Sequence, residues 1–182
     1  KAKDWRPCTK ADPKGSILVT DSSPTIVGAM QRTKKPIIII DDFQYILANE
    51  FMRRVLDQET GNAAFAKYNE IARHAWDILM AAGKLDDNVR VYILAHTQQD
   101  DSGHIKAKTI GKLLDEKITM EGLLTIVLRT AVINGQYVFS TQNNGMDTVK
   151  SPMEMFDTEH IPNDLAAVDK AVCEYYGLTA TA

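Results

Sequence analysis

The chain has few cysteines and no long hydrophobic run. Its two cysteines, Cys8 and Cys173, lie far apart in a sequence of 182 residues and do not form a metal-type pair. Isolated cysteines of this kind favour reduced thiols and a cytoplasmic location over a disulfide framework. No apolar run approaches the roughly 18 to 20 residues that span a bilayer, so we expect no membrane partner.

A basic excess is also missing. Lysine and arginine together number 21, against 24 aspartates and glutamates, which gives a formal net charge of -3. Any contact with nucleic acid must therefore come from a local basic patch. The length and the hydrophobic content of 45% suit one domain with a sizeable core. We therefore treat residues 1–182 as a single domain.

The phosphate-binding sequence G-x-x-x-x-G-K-[ST] does not occur in the chain. The segment Pro13-Lys14-Gly15-Ser16 looks similar, but its spacing differs and no predicted strand precedes it. Backbone N–H groups of such a loop cradle the phosphates of a nucleotide. The opening KAKDWRPCTK begins neither a strand nor a helix cleanly. We interpret Lys1 as an internal point of a longer chain, with a processed N-terminus as the alternative.

The first half of the chain alternates β-prone runs with helical patterns. Four consecutive isoleucines at 37–40 predict a strand buried on both faces, as in a parallel sheet covered by helices. The run VRVYILAH at 89–96 predicts a second buried strand, and 17–21 is a shorter β-type run. Apolar spacing and punctuation predict helices over 23–32, 44–58 and 63–82.

The second half predicts a loop, a hairpin and a final helix. Residues 98–104 have loop composition, and 106–117 predict a loop followed by a short helix. Asn134-Gly135 stands between two β-prone runs and predicts a hairpin. Residues 143–163 are loop-like, and a helix follows from near Pro162 to Tyr176, closed by Gly177. The whole pattern predicts an α/β fold with a mainly parallel sheet flanked by helices and an antiparallel C-terminal hairpin.

Two carboxylates end the isoleucine strand. Asp41 and Asp42 follow it directly, at the carboxyl edge where open α/β sheets bind their ligands. In phosphate-loop ATPases the first acid at this place holds magnesium, and a neighbouring acid orients or deprotonates the attacking water. The alternative is that Asp42 only caps the following helix, because aspartate is a good N-cap residue.

Hydrogen-bonding side chains end the second strand. His96, Thr97 and Gln98 follow it, and in a parallel sheet they would lie at the same edge as Asp41. A side chain of this type can sense a γ-phosphate by hydrogen bonding to it. The alternative is an ordinary loop or core histidine.

A basic stretch covers residues 106–117. Its lysines are Lys106, Lys108, Lys112 and Lys117. Cations beside a nucleotide site can stabilise transition-state charge, and they can also contact a nucleic-acid backbone. The interspersed acids Asp115 and Glu116 favour the alternative, a solvated surface.

Several segments together resemble a family of phage-encoded RecA-like or AAA-type ATP-binding proteins, over roughly residues 34–176. The segments are PIIIIDDFQYI (36–46), YNEIARHAWDIL (68–79), VYILAHTQ (91–98), KTIGKLLDEKITMEGL (108–123) and FSTQNNGMDTVKSPMEMF (139–156). The two strand-end segments are common to many such ATPases. The combination of KTIGK with TVKSPMEMF is more specific.

The resemblance implies a RecA-like, P-loop NTPase-like fold with ATP and Mg²⁺ as cofactors. Asp41 would direct the magnesium, Asp42 would activate water, and His96 would sense the γ-phosphate. The other nucleotide-binding candidates are Thr97, Gln98, Lys108 and Lys112. In the family the phosphate-binding loop lies upstream, which agrees with a chain that begins partway through the domain.

The same resemblance implies a role in phage DNA recombination or replication. Some relatives act on single-stranded DNA, so single-stranded DNA and further copies of the chain are the expected partners, in the cytoplasm of an infected bacterial cell. Two other functions stay open. One is a non-catalytic DNA-binding or annealing module, and the other is a structural or interaction protein that uses an α/β core.

Overall fold

The fold is that of a computed structural model, in which residues 6–9, 11–12, 15–56 and 62–179 are described, residues 62–65 by their backbone alone. Lys1, Pro13 and Lys14 lie outside the described residues. So do residues 57 and 58, at the end of the helix predicted over 44–58.

The α-helices of the described residues begin and end close to their predicted bounds, except that the helix predicted over 44–58 ends at Arg53 and residues 54–56 form a turn. They are α1 (Ser23–Arg32), α2 (Phe43–Arg53), α3 (Asn62–Ala82) and α4 (Leu165–Tyr176). Helix α4 begins later than predicted, because Asp164 caps it through its side chain whereas Pro162 belongs to a strand. Gly177 ends it in the left-handed conformation, with φ of 65°. None of the described helices is long and apolar enough to cross a membrane.

The two predicted buried strands pair with each other. Strands β1 (Ile37–Ile40) and β2 (Arg90–Ile93) form a two-stranded parallel sheet, with Ile37 opposite Arg90 and Ile40 opposite Ile93. In the described part of the chain these are the only two strands that pair in parallel. The fold is therefore mixed α/β, with a small parallel sheet and two antiparallel ones.

Alternate residues of this parallel sheet face different hydrophobic clusters, as the period of two in a strand requires. Ile40, Ile38, Val91 and Ile93 face the cluster formed with α1, α2 and α3. The largest fully buried side chains of that cluster are Phe43, Leu47, Ile71 and Ile78. Tyr92 points to the opposite side and joins the cluster of Val168 and Val172 from α4. Helices therefore cover β2 on both faces.

The prediction that the isoleucine strand is buried on both faces is wrong for one face. Ile40 is 8% exposed, but Ile39 is 55% exposed. The reason is the position of α4, which packs beside Tyr92 of β2 and leaves the Ile39 side chain largely in solvent.

A buried ionic network joins β2 to α4. Arg90 donates from Nε to Oδ1 of Asp169 at 2.8 Å and from Nη2 to Oδ2 at 2.9 Å. The hydroxyl of Tyr92 donates to the same Oδ1 at 2.6 Å. These bonds lower the pKa of the Asp169 carboxyl, the Arg90 bonds most of all. Burial, followed by the bond to Asp169, raises the pKa of Tyr92.

The antiparallel strands follow β2 along the chain. Strand β3 (Thr97–Gln99) pairs with β4 (Ile105–Ala107), and β5 (Arg129–Ile133), β6 (Gln136–Ser140) and β7 (His160–Pro162) form a sheet in that order. The predicted hairpin is confirmed, since Asn134 and Gly135 turn between β5 and β6 with φ of 51° and 77°. This hairpin belongs to its own sheet and is not an edge of the β1–β2 sheet.

Three predictions about short segments are wrong. Residues 98–104 are not all loop, because Gln98 and Gln99 pair with Lys106 and Ile105. The run 17–21 is not a strand, since only Ile17 pairs, in an isolated bridge. Residues 143–163 end in β7. Polar triplets such as Thr97–Gln99 become strands when a partner completes their backbone hydrogen bonds, which a propensity pattern does not show.

Of the loop and short helix predicted over 106–117, the short helix is confirmed, but Lys106 and Ala107 belong to β4 and not to a loop. After β4, Leu113–Lys117 form a π-helical turn that packs against α3 through the buried Leu114. Gly111 precedes it with φ of 88°, and a Cβ there would stand 3.2 Å from the Tyr68 ring. Short π-helical turns are rare and occur often beside functional sites.

Candidate functional site

The acidic end of β1 and the histidine end of β2 lie at one edge of the parallel sheet. The backbone ladder continues past both strands, because Leu94 N–H donates to the Ile40 carbonyl and Phe43 N–H donates to the Leu94 carbonyl, each at 2.9 Å. Asp41 and Asp42 lie between these two rungs. The prediction that the two strands end at the same edge of the sheet is therefore confirmed.

Asp41 is exposed and its carboxylate is oriented by the turn itself. Its Oδ1 accepts a hydrogen bond from the N–H of Asp42 at 2.9 Å. Exposed carboxylate oxygens at a strand end are hard ligands, which Mg²⁺ prefers. Asp41 has the chemistry and the exposure that the predicted magnesium role needs.

Asp42 occupies the N-cap position of α2 without capping it. Its side chain makes no cap hydrogen bond, and its backbone is left-handed, with φ of 54° and ψ of 45°. That conformation costs an ordinary residue roughly 1–2 kcal/mol, although aspartate tolerates it better than most. The alternative in which Asp42 only caps the helix is therefore wrong, because its carboxylate accepts no hydrogen bond from the first N–H groups of α2.

The carboxylate of Asp42 lies beside His96. Its Oδ1 is 3.5 Å from Nε2 of the imidazole, and the two side chains are 58% and 59% exposed. The ring of Tyr45 meets the imidazole edge to face, with centroids 5.9 Å apart at 81°. An exposed pair of this kind contributes little to stability, so its interest lies in where it places an acid and an imidazole.

Gln44, near the start of α2, contacts the backbone at the end of β2 through its side chain. Sequence reasoning missed this residue. Its side chain is 95% buried at the start of α2, and Oε1 accepts the backbone N–H of His96 at 3.1 Å. Its Nε2 is buried without a hydrogen-bond partner among the described residues. A donor left unpaired in this way costs roughly 1–3 kcal/mol. The available signal was a glutamine between the core positions Phe43 and Ile46.

Thr97 and Gln98 leave the edge with β3. Thr97 is exposed and pairs with Ala107. Gln98 turns away from Asp41, and its Nε2 donates to Oδ1 of Asp115 at 2.6 Å. Lys106 contacts the same oxygen at 2.8 Å, and its bond lowers the pKa of Asp115. These contacts form a second polar cluster around Asp115.

The other two lysines differ in their relation to the edge. The backbone N–H of Lys108 donates to the carbonyl of His96 at 2.8 Å, and its side chain is exposed. Lys112 is 89% exposed and lies 3.8 Å from Glu116. The structure therefore brings Lys108 next to the candidate site, and the contact that Lys112 makes is within its own turn.

No group of three or more histidine, cysteine, aspartate or glutamate side chains in the described ranges forms a metal centre. That result does not conflict with magnesium, which is usually held by one or two carboxylates together with phosphate oxygens and water. The edge of the sheet offers Asp41 for such a site.

Comparisons of the chain with protein-family models, with curated proteins and with solved structures find no match. The functional interpretation therefore depends on the residues and on their placement. At the sheet edge the exposed acids Asp41 and Asp42 follow β1, and the exposed imidazole of His96 lies 3.5 Å from Asp42. That arrangement can bind a cation, accept a proton and donate a hydrogen bond to an anion.

Proposed function

We propose that this chain is the nucleotide-binding core of a RecA-like ATPase that acts on single-stranded DNA in phage recombination or replication. The observation that carries the proposal is the convergence of Asp41, Asp42 and His96 at the carboxyl edge of the parallel pair β1–β2. Ligands of open α/β sheets bind at that edge. The resemblance of the strand-end segments to RecA-like proteins points to the same chemistry.

Each residue at the edge has a distinct role in this proposal. Asp41 would hold Mg²⁺ with the phosphates and water, and the ion would offset the negative charge of the phosphates. Asp42 accepts a proton from the attacking water or orients it. His96 donates a hydrogen bond to the terminal phosphate, and the exposed side chains of Thr97 and Lys108 are the candidates to assist it.

The proposal includes an oligomer and a RecA-like arrangement of the sheet. RecA-like sites often lie between subunits, so further copies of the chain would complete the nucleotide site. Among the lysines of 106–117, Lys106 and Lys112 lie beside Asp115 and Glu116. DNA contact through this stretch therefore depends on Lys108 and Lys117.

Hydrolysis of ATP by the full-length protein tests the proposal. It is measured with and without Mg²⁺, with and without single-stranded DNA, and beside the variants Asp41→Asn and Asp87→Asn. Asp87 is an exposed aspartate before β2, at the opposite end of the same sheet, and is the matched control. We expect magnesium-dependent hydrolysis that Asp41→Asn abolishes, that Asp87→Asn preserves and that single-stranded DNA increases.

Two results would count against the proposal. Equal hydrolysis by Asp41→Asn and the wild type would remove the magnesium role from this residue. A folded full-length protein that binds single-stranded DNA but hydrolyses no ATP would instead be the non-catalytic annealing module.

A further inference from the structure

Three consecutive residues at the start of α2 contact the end of β2. Phe43 donates its backbone N–H to the Leu94 carbonyl, Gln44 accepts the N–H of His96, and Tyr45 packs its ring against the imidazole. Among these contacts, the one from Gln44 is made by a buried polar side chain to the backbone of His96 itself. It therefore ties the His96 backbone directly to α2.

The orientation of the Gln44 amide follows from its partner. The N–H of His96 is a donor, so the carbonyl oxygen of the amide must face it, and the Nε2 is turned into the interior. There Nε2 finds no partner within the described part of the chain. A methionine or leucine would remove that unpaired donor, but it would also leave the N–H of His96 without its acceptor. The glutamine therefore ties α2 to the His96 backbone at the cost of one buried, unpaired donor.

We propose that Gln44 is a positioning residue, which holds the end of β2 so that the His96 imidazole stands beside Asp42 at the ligand edge. The proposal rests on the proposed function only for the contact of His96 with the terminal phosphate. The position of the imidazole itself is a property of the ligand-free protein. Without the Oε1 contact, α2 holds the end of β2 only through the bond from Phe43 N–H to the Leu94 carbonyl, and the His96 carbonyl keeps its bond from Lys108 N–H. The imidazole itself then has only its weak exposed contacts with Asp42 and Tyr45.

Two substitutions separate positioning from stability. Gln44→Met keeps the volume and removes both the acceptor and the unpaired donor. Gln44→Glu keeps an oxygen acceptor for the His96 N–H, at the cost of a carboxyl group in a buried place. Gln136→Met, at an exposed glutamine in the β5–β6 hairpin, is the matched control for adding a methionine.

The first readout needs no nucleotide. The imidazole resonances of His96 are followed by NMR in the full-length protein at one fixed pH and are assigned by their loss in His96→Gln. We expect Gln44→Met to shift the His96 resonances, with a urea midpoint close to that of the wild type, because loss of the unpaired Nε2 donor offsets loss of the His96 N–H acceptor. Gln44→Glu is expected to keep resonances close to those of the wild type with a lower urea midpoint.

The second readout uses ATP. In Gln44→Met we expect kcat to fall about tenfold, or ~1.4 kcal/mol, with KM changed less, because a displaced His96 affects the terminal phosphate more than the rest of the nucleotide. Unshifted His96 resonances in folded Gln44→Met would overturn the positioning role, and so would failure of that variant to fold. If the wild type binds no ATP, the proposed function is contradicted. If Gln44→Met still shifts the His96 resonances in that case, Gln44 remains a positioning residue.

Discussion

Asp42 and His96 follow different strands, yet Oδ1 of Asp42 lies 3.5 Å from Nε2 of His96. The parallel pairing of β1 with β2 brings them together, and the left-handed backbone of Asp42 turns its carboxylate away from the helix that it precedes. An aspartate that neither caps its helix nor is buried has its side chain available for a ligand. The two aspartates that precede α2 and α4 can therefore be compared directly.

The N-cap aspartates of α2 and α4 are predicted to differ in their effect on stability. Asp164 accepts hydrogen bonds from Ala166 and Ala167, so Asp164→Ala should lower the free energy of unfolding by about 1 kcal/mol. Asp42→Gly should leave it nearly unchanged, because relief of the left-handed backbone offsets the greater chain entropy of glycine. Urea unfolding of both variants measures this. A loss at Asp42 as large as at Asp164 would mean that Asp42 does cap α2.

The network of Asp169 is predicted to make stability depend on acid pH. Removing one partner of a buried ion pair typically costs about 3–5 kcal/mol, so we expect a loss of that order for Asp169→Asn near pH 7. Because the folded-state pKa of Asp169 is lowered, this contribution is present above the unfolded-state pKa of about 3.9. It is lost as pH falls through the lower folded-state pKa.

Urea unfolding between neutral and acid pH measures that dependence. The difference between wild type and Asp169→Asn should shrink as the solution is acidified. Asp77→Asn is the control, since its pair with Arg73 is exposed and lies within one helix, and it should cost no more than about 0.5 kcal/mol. A difference for Asp169→Asn that is the same at every pH would contradict a carboxylate charged in the folded state.

Gln98 is predicted to act on stability and not on nucleotide binding. Its amide donates to Asp115 at 2.6 Å, so Gln98→Ala should cost roughly 0.5–1.5 kcal/mol of unfolding free energy while the affinity for ATP stays at the wild-type value. Thermal unfolding and calorimetric titration of the same samples separate the two effects. An affinity loss without a stability loss would return Gln98 to the nucleotide site.

The turn of the β5–β6 hairpin depends on one glycine. Gly135 has φ of 77°, and a Cβ there would contact nothing within 4 Å, so Gly135→Ala should cost roughly 1–2 kcal/mol from backbone strain alone. Gly83 lies outside the left-handed region, and Gly83→Ala should be neutral or stabilising by up to about 1 kcal/mol. Chemical unfolding of both variants tests the comparison. Equal changes in the free energy of unfolding for the two variants would mean that an alanine at position 135 causes no backbone strain.

Local patterns in the sequence predicted the regular elements well. The bounds of α1 and the turn at Asn134-Gly135 follow from proline at a helix start and from a residue pair that accepts positive φ. The β3–β4 hairpin could not be predicted in this way, because Thr97–Gln99 has no apolar alternation and depends on its partner strand. The exposure of Ile39 depends on where α4 packs, which no local pattern contains.

The candidate site was predictable to the same extent. Asp41, Asp42 and His96 were found because each follows a hydrophobic run, and parallel pairing then brings the runs together. The engagement of Gln98 with Asp115 and the contact of Gln44 with His96 depend on side-chain direction after folding. A pattern of residue types does not specify those directions.

Binding of ATP tests the central claim most directly. Calorimetric titration of the full-length protein with ATP, in Mg²⁺ and again in excess chelator, is compared for wild type, Asp41→Asn and Asp87→Asn. We predict that Asp41→Asn weakens magnesium-dependent binding at least about tenfold, or ~1.4 kcal/mol, and that Asp87→Asn binds like the wild type. Equal affinity in all three proteins, or no binding by folded wild type, would contradict a nucleotide site at the end of β1.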